Sequence, residues 1–441
     1  MKKVLIISYY WPPSSGPGVQ RILKFCKYLQ DYNWVPIVLT VKNGTYPSID
    51  ESLMNDIPKN VKVFSTKTSE PFALFNFFKG KSNKQNSGMV GMMGTQGKKS
   101  FFTKMALYIR SNFFIPDARK GWRKYARREA KKIIKSENID LILTTGPPHS
   151  THLIGLDLKK QTKVPWISDF RDPWTTVFNN KVLPRTERTR LIDKFYEDMV
   201  LQYSDGIMGV SRGLVSELSD RNRNAKVIYN GFDETDMKID NLSTYTQKFS
   251  VAYIGNFKPN QNIEELWQVL EDICKENELF KSHLIISLTG NCDASVNKSI
   301  EKYNLNDYLV QSPPVNHQEA IQQMCESNLL LFIVPRVEDN HLIITGKLFE
   351  YIASGSKILP IGPIKGDAAH ILRYCDHPEM IDYSNKDAIK KFLLDAFNDW
   401  RKHENKSKKH SQTSTLSEYT RKSQTKELAV FMNSIYEKYA N

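Results

Sequence analysis

Short apolar runs alternate with stretches of helical spacing from the first residues onward, and that alternation confines the chain to an α/β fold. An apolar run from Val4 to Ser8 is followed by Val19, Ile22, Leu23, Cys26 and Leu29 at helical intervals, then by a second apolar run from Pro36 to Thr40. Strand, helix and strand in that order predict a parallel sheet with right-handed crossovers. We read the first strand as reaching Tyr10 and expect further strands at Val61–Phe64, Leu141–Thr145, Trp166–Asp169, Gly206–Val210 and Lys226–Tyr229. Helices are expected near Arg119–Lys135 and over Thr186–Tyr203.

A chain of 441 residues exceeds what one hydrophobic core supports, so two domains are expected. The boundary falls at Asn230-Gly231-Phe232-Asp233, and the polar stretch 234–247 reads as a linker. The second set comprises strands at Phe249–Gly255, Leu284–Thr289, Leu329–Val334 and Lys357–Ile361, with helices at Asn262–Glu276 and 345–353. The expected organisation is a first domain over 1–240 and a second over 248–410, both doubly wound. A final helix within 411–441, read over Glu418–Tyr439, follows. Residues 80–100, rich in Gly, Ser, Asn and Lys without a period, are expected to form a mobile loop. The five cysteines have at least 17 residues between neighbours, which suits core thiols of a reducing compartment and excludes a Cys-x-x-Cys site. The apolar start ends in Pro-Pro and reads as a strand rather than a signal peptide, and no window reaches the length of a membrane span.

The chemistry gathers at turns that follow strands. Thr345, Gly346 and Lys347 open a helix, where unpartnered backbone N–H groups and about half a positive charge favour phosphate. Glu350, one turn on, has two acceptor oxygens suited to a pair of ribose hydroxyls. Gly255 ends a strand with Lys258 within reach of a diphosphate, and Gly290 ends the next strand. In the first half, Gly16 and Gly18 in the loop WPPSSGPGVQR let the backbone approach a ligand, although Arg21 stands where a dinucleotide fingerprint has its third glycine. His149 follows a strand in a Gly-Pro-Pro turn. His149 and His152 lie three apart, but no acid or thiol cluster joins them and the chain contains no Asp-x-Asp pair, so no metal site is expected. In SDFRDPW, Asp169, Arg171 and Asp172 crowd the end of a buried strand, as an acceptor-orienting acid with a phosphate-binding arginine or as an internal ion pair.

The segment GKLFEYIASGSKILPIGP resembles the donor-binding segment of family 4 glycosyltransferases, and SDFRDPW resembles a run found in related bacterial enzymes. The family usually has Glu-x7-Glu. Glu350 matches its second glutamate, but Leu342 occupies the first position. The resemblance implies the GT-B fold, two Rossmann-like domains facing a central cleft, with the final helix crossing back to the first domain. It implies a retaining transfer from a UDP-, GDP- or similar nucleotide sugar, with no cofactor and no metal. Gly255, Lys258, Gly290, Thr345, Gly346, Lys347 and Glu350 would then hold the donor. His149, Asp169, Arg171 and Asp172 would serve the acceptor side, with Gly16 and Gly18 in the cleft loop. The acceptor class would be lipid-linked or glycan, in the making of a cell-surface polysaccharide.

The net charge of +14 is local: from Lys98 to Lys135 there are thirteen Lys and Arg against Asp117 and Glu129. Trp122, Ala126, Ala130, Ile133 and Ile134 recur at helical spacing, so Arg123, Lys124, Arg127 and Arg128 are expected to face outward. With the aromatics Phe101, Phe102, Phe113 and Phe114 upstream, this reads as a peripheral anchor on the anionic inner face of a plasma membrane, from the cytoplasm. A solvated basic face is the plain alternative. A nucleotide-sugar epimerase or hydrolase of the same fold is the second functional reading. A non-enzymatic binder of anionic polymers comes third, because no nucleic-acid motif accompanies the charge.

Overall fold

The computed structural model describes residues 1–70, 101–177, 180, 183–238, 247–403 and 414–440. The loop expected at 80–100 and most of the expected linker lie outside those residues. The chain divides into two compact units, one made of Met1–Asn230 with Arg421–Asn441 and the other of Gly231–Thr420.

The first unit contains β1 (Lys2–Ile7), α1 (Pro17–Tyr28), β2 (Trp34–Val41), β3 (Lys62–Thr66), α2 (Phe101–Phe113), α3 (Arg123–Glu137), β4 (Leu141–Gly146), α4 (Ser150–Thr162), β5 (Trp166–Phe170), α5 (Glu187–Tyr203), β6 (Gly206–Gly209), α6 (Arg212–Ser219) and β7 (Ala225–Val227). Among the described residues its strands form one parallel sheet in the order β3-β2-β1-β4-β5-β6-β7. Alternation along β1 sends Leu5 and Ile7 to one face, where Ala126, Ala130 and Ile133 of α3 cover them. Val4 and Ile6 go to the other face, against Ile22 and Phe25 of α1. Strand β1 stops at Ile7, short of Tyr10, although Tyr9 and Trp11 are buried. Burial continues into the loop, so the apolar run outlasts the ladder. Thr186 caps α5 by accepting the Thr189 N–H, and Ser211 caps α6 in the same way.

The second unit contains β8 (Phe249–Ile254), α7 (Glu264–Glu276), α8 (Glu278–His283), β9 (Leu284–Thr289), α9 (Ala294–Lys302), β10 (Leu309–Ser312), α10 (His317–Glu326), β11 (Leu329–Ile333), α11 (Lys347–Ser354), β12 (Lys357–Ile361), α12 (Asp367–Tyr374) and α13 (Lys386–Lys402). Its parallel sheet runs β10-β9-β8-β11-β12. Edge strand β10 escaped the sequence reading because LVQS has no buried run to betray it. The two places where the chain enters and leaves this unit lie side by side, with the Phe232 N–H donating to the Tyr419 carbonyl at 3.1 Å. The last helix, α14 (Arg421–Ala440), packs Leu428, Ala429, Met432 and Ile435 into the core of the first unit. Asn433 on α14 accepts from Trp34 Nε1 at 3.1 Å.

In each sheet the strand order reverses once, between β1 and β4 and between β8 and β11. Outside the carboxyl ends of strands at such a reversal, open α/β sheets leave a crevice for ligands.

Candidate active site

In the second unit, the carboxyl edge of the sheet gathers the expected donor residues. Gly255 and Gly290 end β8 and β9 with φ of 116° and 119°, a left-handed backbone that favours glycine. The two glycines touch: a Cβ on Gly290 would sit 2.6 Å from the Gly255 carbonyl oxygen. A Cβ on Gly255 would sit 2.6 Å from both Cε and Nζ of Lys347, so the lysine stem lies directly on that glycine. Tyr351, one turn along α11, fixes the helix on β8 by accepting the Ile254 N–H at 3.1 Å.

The Lys347 ammonium lies 3.9 Å from the centre of the Tyr253 ring. Burial pushes its pKa down to about 7, a drop opposed by the Glu350 carboxylate and assisted by the Lys258 charge. Lys258 itself is exposed. Beside Lys347, at the turn opening α11, the hydroxyl oxygen of Thr345 is buried without a hydrogen-bond partner. A poorly hydrated ammonium, a second ammonium, an orphan hydroxyl and the start of a helix thus converge beside Glu350. That arrangement suits an anion with several oxygens.

In the first unit, the SDFRDPW motif is divided. Asp169 is wholly buried and bonded to Arg21: Arg21 Nε donates to Oδ2 at 3.2 Å and Nη2 to Oδ1 at 3.0 Å. The Thr145 hydroxyl adds a third bond to Oδ2 at 2.9 Å. Asp169 is thus held in a buried ion pair, with both carboxylate oxygens bonded and neither exposed. Arg171 is also committed. Its Nε donates to the Gly146 carbonyl at 3.1 Å and its Nη2 to the Pro147 carbonyl. Its Nη1 lies against Gly18, where a Cβ would come within 1.1 Å. Gly18 thus admits the chain's own arginine where the sequence reading expected a ligand, and Arg171 ties the loops after β1, β4 and β5 together. Gly16 has open space where a Cβ would stand and needs glycine for its φ of 121°. Asp172 is the exposed acid of the motif.

His149 stacks parallel on Trp174, with ring centres 4.9 Å apart and planes at 8°. Its ring donates to the Pro173 carbonyl while Nδ1 is buried without a partner. Burial, with Arg171 nearby, pushes its pKa down to about 3, so the imidazole is neutral. Trp174 is held from behind by Asp193, which accepts the indole N–H at 2.8 Å and is paired with Arg185. His152 does not join His149 as a ligand pair. It is fully buried, stacks on Phe170 at 4.6 Å and shares a 2.9 Å hydrogen bond with the Thr144 hydroxyl. Among the described residues no group of three or more His, Cys, Asp or Glu is arranged to hold a metal. Arg21 and Asp193 were missed in the sequence reading. The only signal for Arg21 was a charge inside an otherwise apolar helical stripe.

On α3 the expected apolar stripe is buried at Trp122, Ala126, Ala130, Ile133 and Ile134. The basic face is narrower than expected. Arg123 bonds Asp157 of α4 at 2.7 and 2.8 Å, and Arg127 lies 3.7 Å from the same acid. Lys124, Arg128, Lys131, Lys132 and Lys135 form the exposed cations. No helix among the described residues is long and apolar enough to cross a membrane.

Residues 95–236 match the family described as Glycosyltransferase Family 4. No curated protein matches the chain. Sucrose-phosphate synthase from Thermosynechococcus elongatus is similar in structure, with a TM-score of 0.57 and 14% identity over 100% of this chain and 99% of that one. S. aureus TarM, in a complex with Fondaparinux, alpha-GlcNAc-glycerol and UDP, gives 0.56 and 12% over 100% and 99%. UDP-GlcNAc 2-epimerase from Methanocaldococcus jannaschii gives 0.53 and 12% over 98% and 100%. Two parallel α/β units with these similarities define the GT-B fold. The chain thus has that fold, and the stretch 95–236 within it is similar to the family 4 glycosyltransferases.

Proposed function

We propose that this chain transfers a sugar, with retention, from a nucleoside diphosphate sugar to a lipid-linked or polysaccharide acceptor in cell-surface glycan synthesis, without a metal. The reading rests chiefly on Lys347, an ammonium held over Tyr253 beside the orphan hydroxyl of Thr345. In the proposed reaction the donor diphosphate lies on the turn opening α11, Glu350 accepts from the ribose, and Lys258 closes over the phosphates. As the glycosidic bond breaks, charge grows on the diphosphate, where Lys347, Lys258 and the helix N-terminus meet it. One such preorganised donor contributes about 2.7–4 kcal/mol to a transition state. The leaving diphosphate takes the acceptor proton on the same face. Asp172 orients the acceptor hydroxyl and neutral His149, fixed by Trp174, contributes its unpartnered Nδ1 as an acceptor of hydrogen bonds. The enzyme works from the cytoplasm at an anionic membrane surface.

Thermal shift and calorimetry with a panel of nucleotide sugars test the donor site. Glu350→Ala should weaken nucleotide binding about ten- to a hundredfold, the loss of a charge-assisted bond of about 1.5–3 kcal/mol. Unchanged affinity would remove Glu350 from the site. Because epimerases share the fold, the donor is also incubated alone: an epimer formed without acceptor would replace transfer with epimerisation.

A further inference from the structure

Helix α2 is amphipathic the wrong way round for a helix lying on a core. Its inner side presents Ser111, at 2% exposure, with Leu107 and Arg110 partly buried beside it. The opposite side carries Met105, Tyr108, Ile109 and Phe113 at helical spacing, and these are 45%, 46%, 44% and 64% exposed. The helix is nevertheless tied down. Asn112 Oδ1 accepts from the Thr186 N–H at 2.7 Å and from the Thr189 hydroxyl at 2.8 Å, while its Nδ2 donates to the Pro184 carbonyl at 2.8 Å. The outward apolar face is therefore held in place at the cap of α5, and a contiguous exposed patch of this kind marks an interaction surface.

The surrounding charge identifies the occupant. Helix α2 carries no acid, its Lys104 is exposed, and Lys120 sits at its end, donating to the Phe113 carbonyl and lying 5.3 Å over the Phe114 ring. Asp117 turns inward, where it accepts from the N–H and hydroxyl of Ser150 at 2.8 Å. A second copy docked by two-fold symmetry would set these cations against their own copies. An anionic leaflet neutralises it instead. We propose that the outward face of α2 seats in the boundary between headgroups and acyl chains of an anionic bilayer, with the exposed cations of α3 held at the headgroups. This deepens the membrane part of the proposed function by naming the inserted face, and it is independent of the donor site.

The test is co-sedimentation of the full chain with vesicles of phosphatidylglycerol and phosphatidylcholine, at low and high salt, against vesicles of phosphatidylcholine alone. Wild type should bind the anionic vesicles and keep a bound fraction at high salt, since burial of apolar groups is not screened. The double variant Ile109→Ser, Phe113→Ser should lose about tenfold or more of the partitioning at either salt. Lys124→Glu with Arg128→Glu should weaken binding mainly at low salt. Folding of each variant is checked by its melting temperature and by nucleotide binding in the second unit. Nucleotide binding failing in wild type overturns the donor reading and leaves the membrane result standing. The proposal is overturned if the α2 variant binds like wild type, because adsorption is then electrostatic only. It is equally overturned if wild type ignores anionic vesicles, whether or not light scattering shows a dimer that the α2 variant disrupts.

Discussion

Lys347→Ala should lower donor turnover about 10²–10³-fold, the loss recorded when one preorganised donor is removed from a developing anion, while the unliganded protein stays folded. The two halves of that expectation have one cause. Without donor the ammonium has the Tyr253 ring, the Glu350 carboxylate and the Lys258 cation for company, and burial still pushes its pKa down to about 7. An alanine there removes a poorly solvated charge, so the fold loses little. A bound diphosphate reverses the balance by supplying the missing acceptors, and then the charge is what the site needs. The pH dependence follows. Below pH of about 7 the lysine is charged with or without donor, so affinity is flat. Above that value the empty site has lost its proton and must regain one on binding, so affinity falls with rising pH until the higher pKa of the liganded lysine is passed. Unliganded stability moves the opposite way: between about 7 and the ordinary lysine value of 10.5 the unfolded chain holds the extra proton, so stability rises with pH. Calorimetry in buffers of different ionisation enthalpy reads the proton uptake directly. Uptake persisting in Lys347→Ala would assign the proton elsewhere.

The fold was legible because buried parallel strands declare themselves as apolar runs. Leu284–Thr289 and Lys357–Ile361 match their expected limits, and Trp166–Phe170 exceeds its limit by one residue. Edge strand β10 failed to register for the opposite reason, since its residues are largely exposed. The cluster at the start of α11 was legible because its chemistry is local: Thr345, Gly346, Lys347 and Glu350 lie within two turns of chain, and helix geometry alone puts them together. In the first unit the chemistry depends on pairings distant in sequence. Arg21 meets Asp169 across 148 positions and Asp193 meets Trp174 across 19, and no spacing rule reports either. The motif showed that its charges needed partners, but it could not show that Asp169 takes its partner from α1 while Asp172 faces outward.

That division yields the second large effect, on stability. Asp169→Ala should destabilise the first unit by about 3–5 kcal/mol, because Arg21 would stay buried with its charge uncompensated. Arg21 also donates through Nη1 to the Tyr229 carbonyl at 2.9 Å, so it joins α1 and β5 to the segment that leaves the unit. Arg21→Met should be comparably harmful, since it strands the Asp169 carboxylate with the Thr145 hydroxyl as its remaining bond. The double variant Arg21→Met, Asp169→Leu should recover part of the loss, as two apolar chains replace two charges, with a coupling of about 0.5–3 kcal/mol in the cycle. Asp172→Asn gives the contrast. Its carboxylate is exposed and comes second to Asp169 in offsetting Arg171, so stability should fall far less than on loss of Asp169, while transfer to acceptor slows and nucleotide binding in the second unit is kept. Urea melts together with initial rates separate the two acids. If Asp169→Ala melts like wild type but transfers slowly, the buried pair is not structural and Asp169 returns to the acceptor side. If Asp172→Asn transfers at the wild-type rate, Asp172 has no part in orienting the acceptor, and the unpartnered Nδ1 of His149 becomes the group to test next.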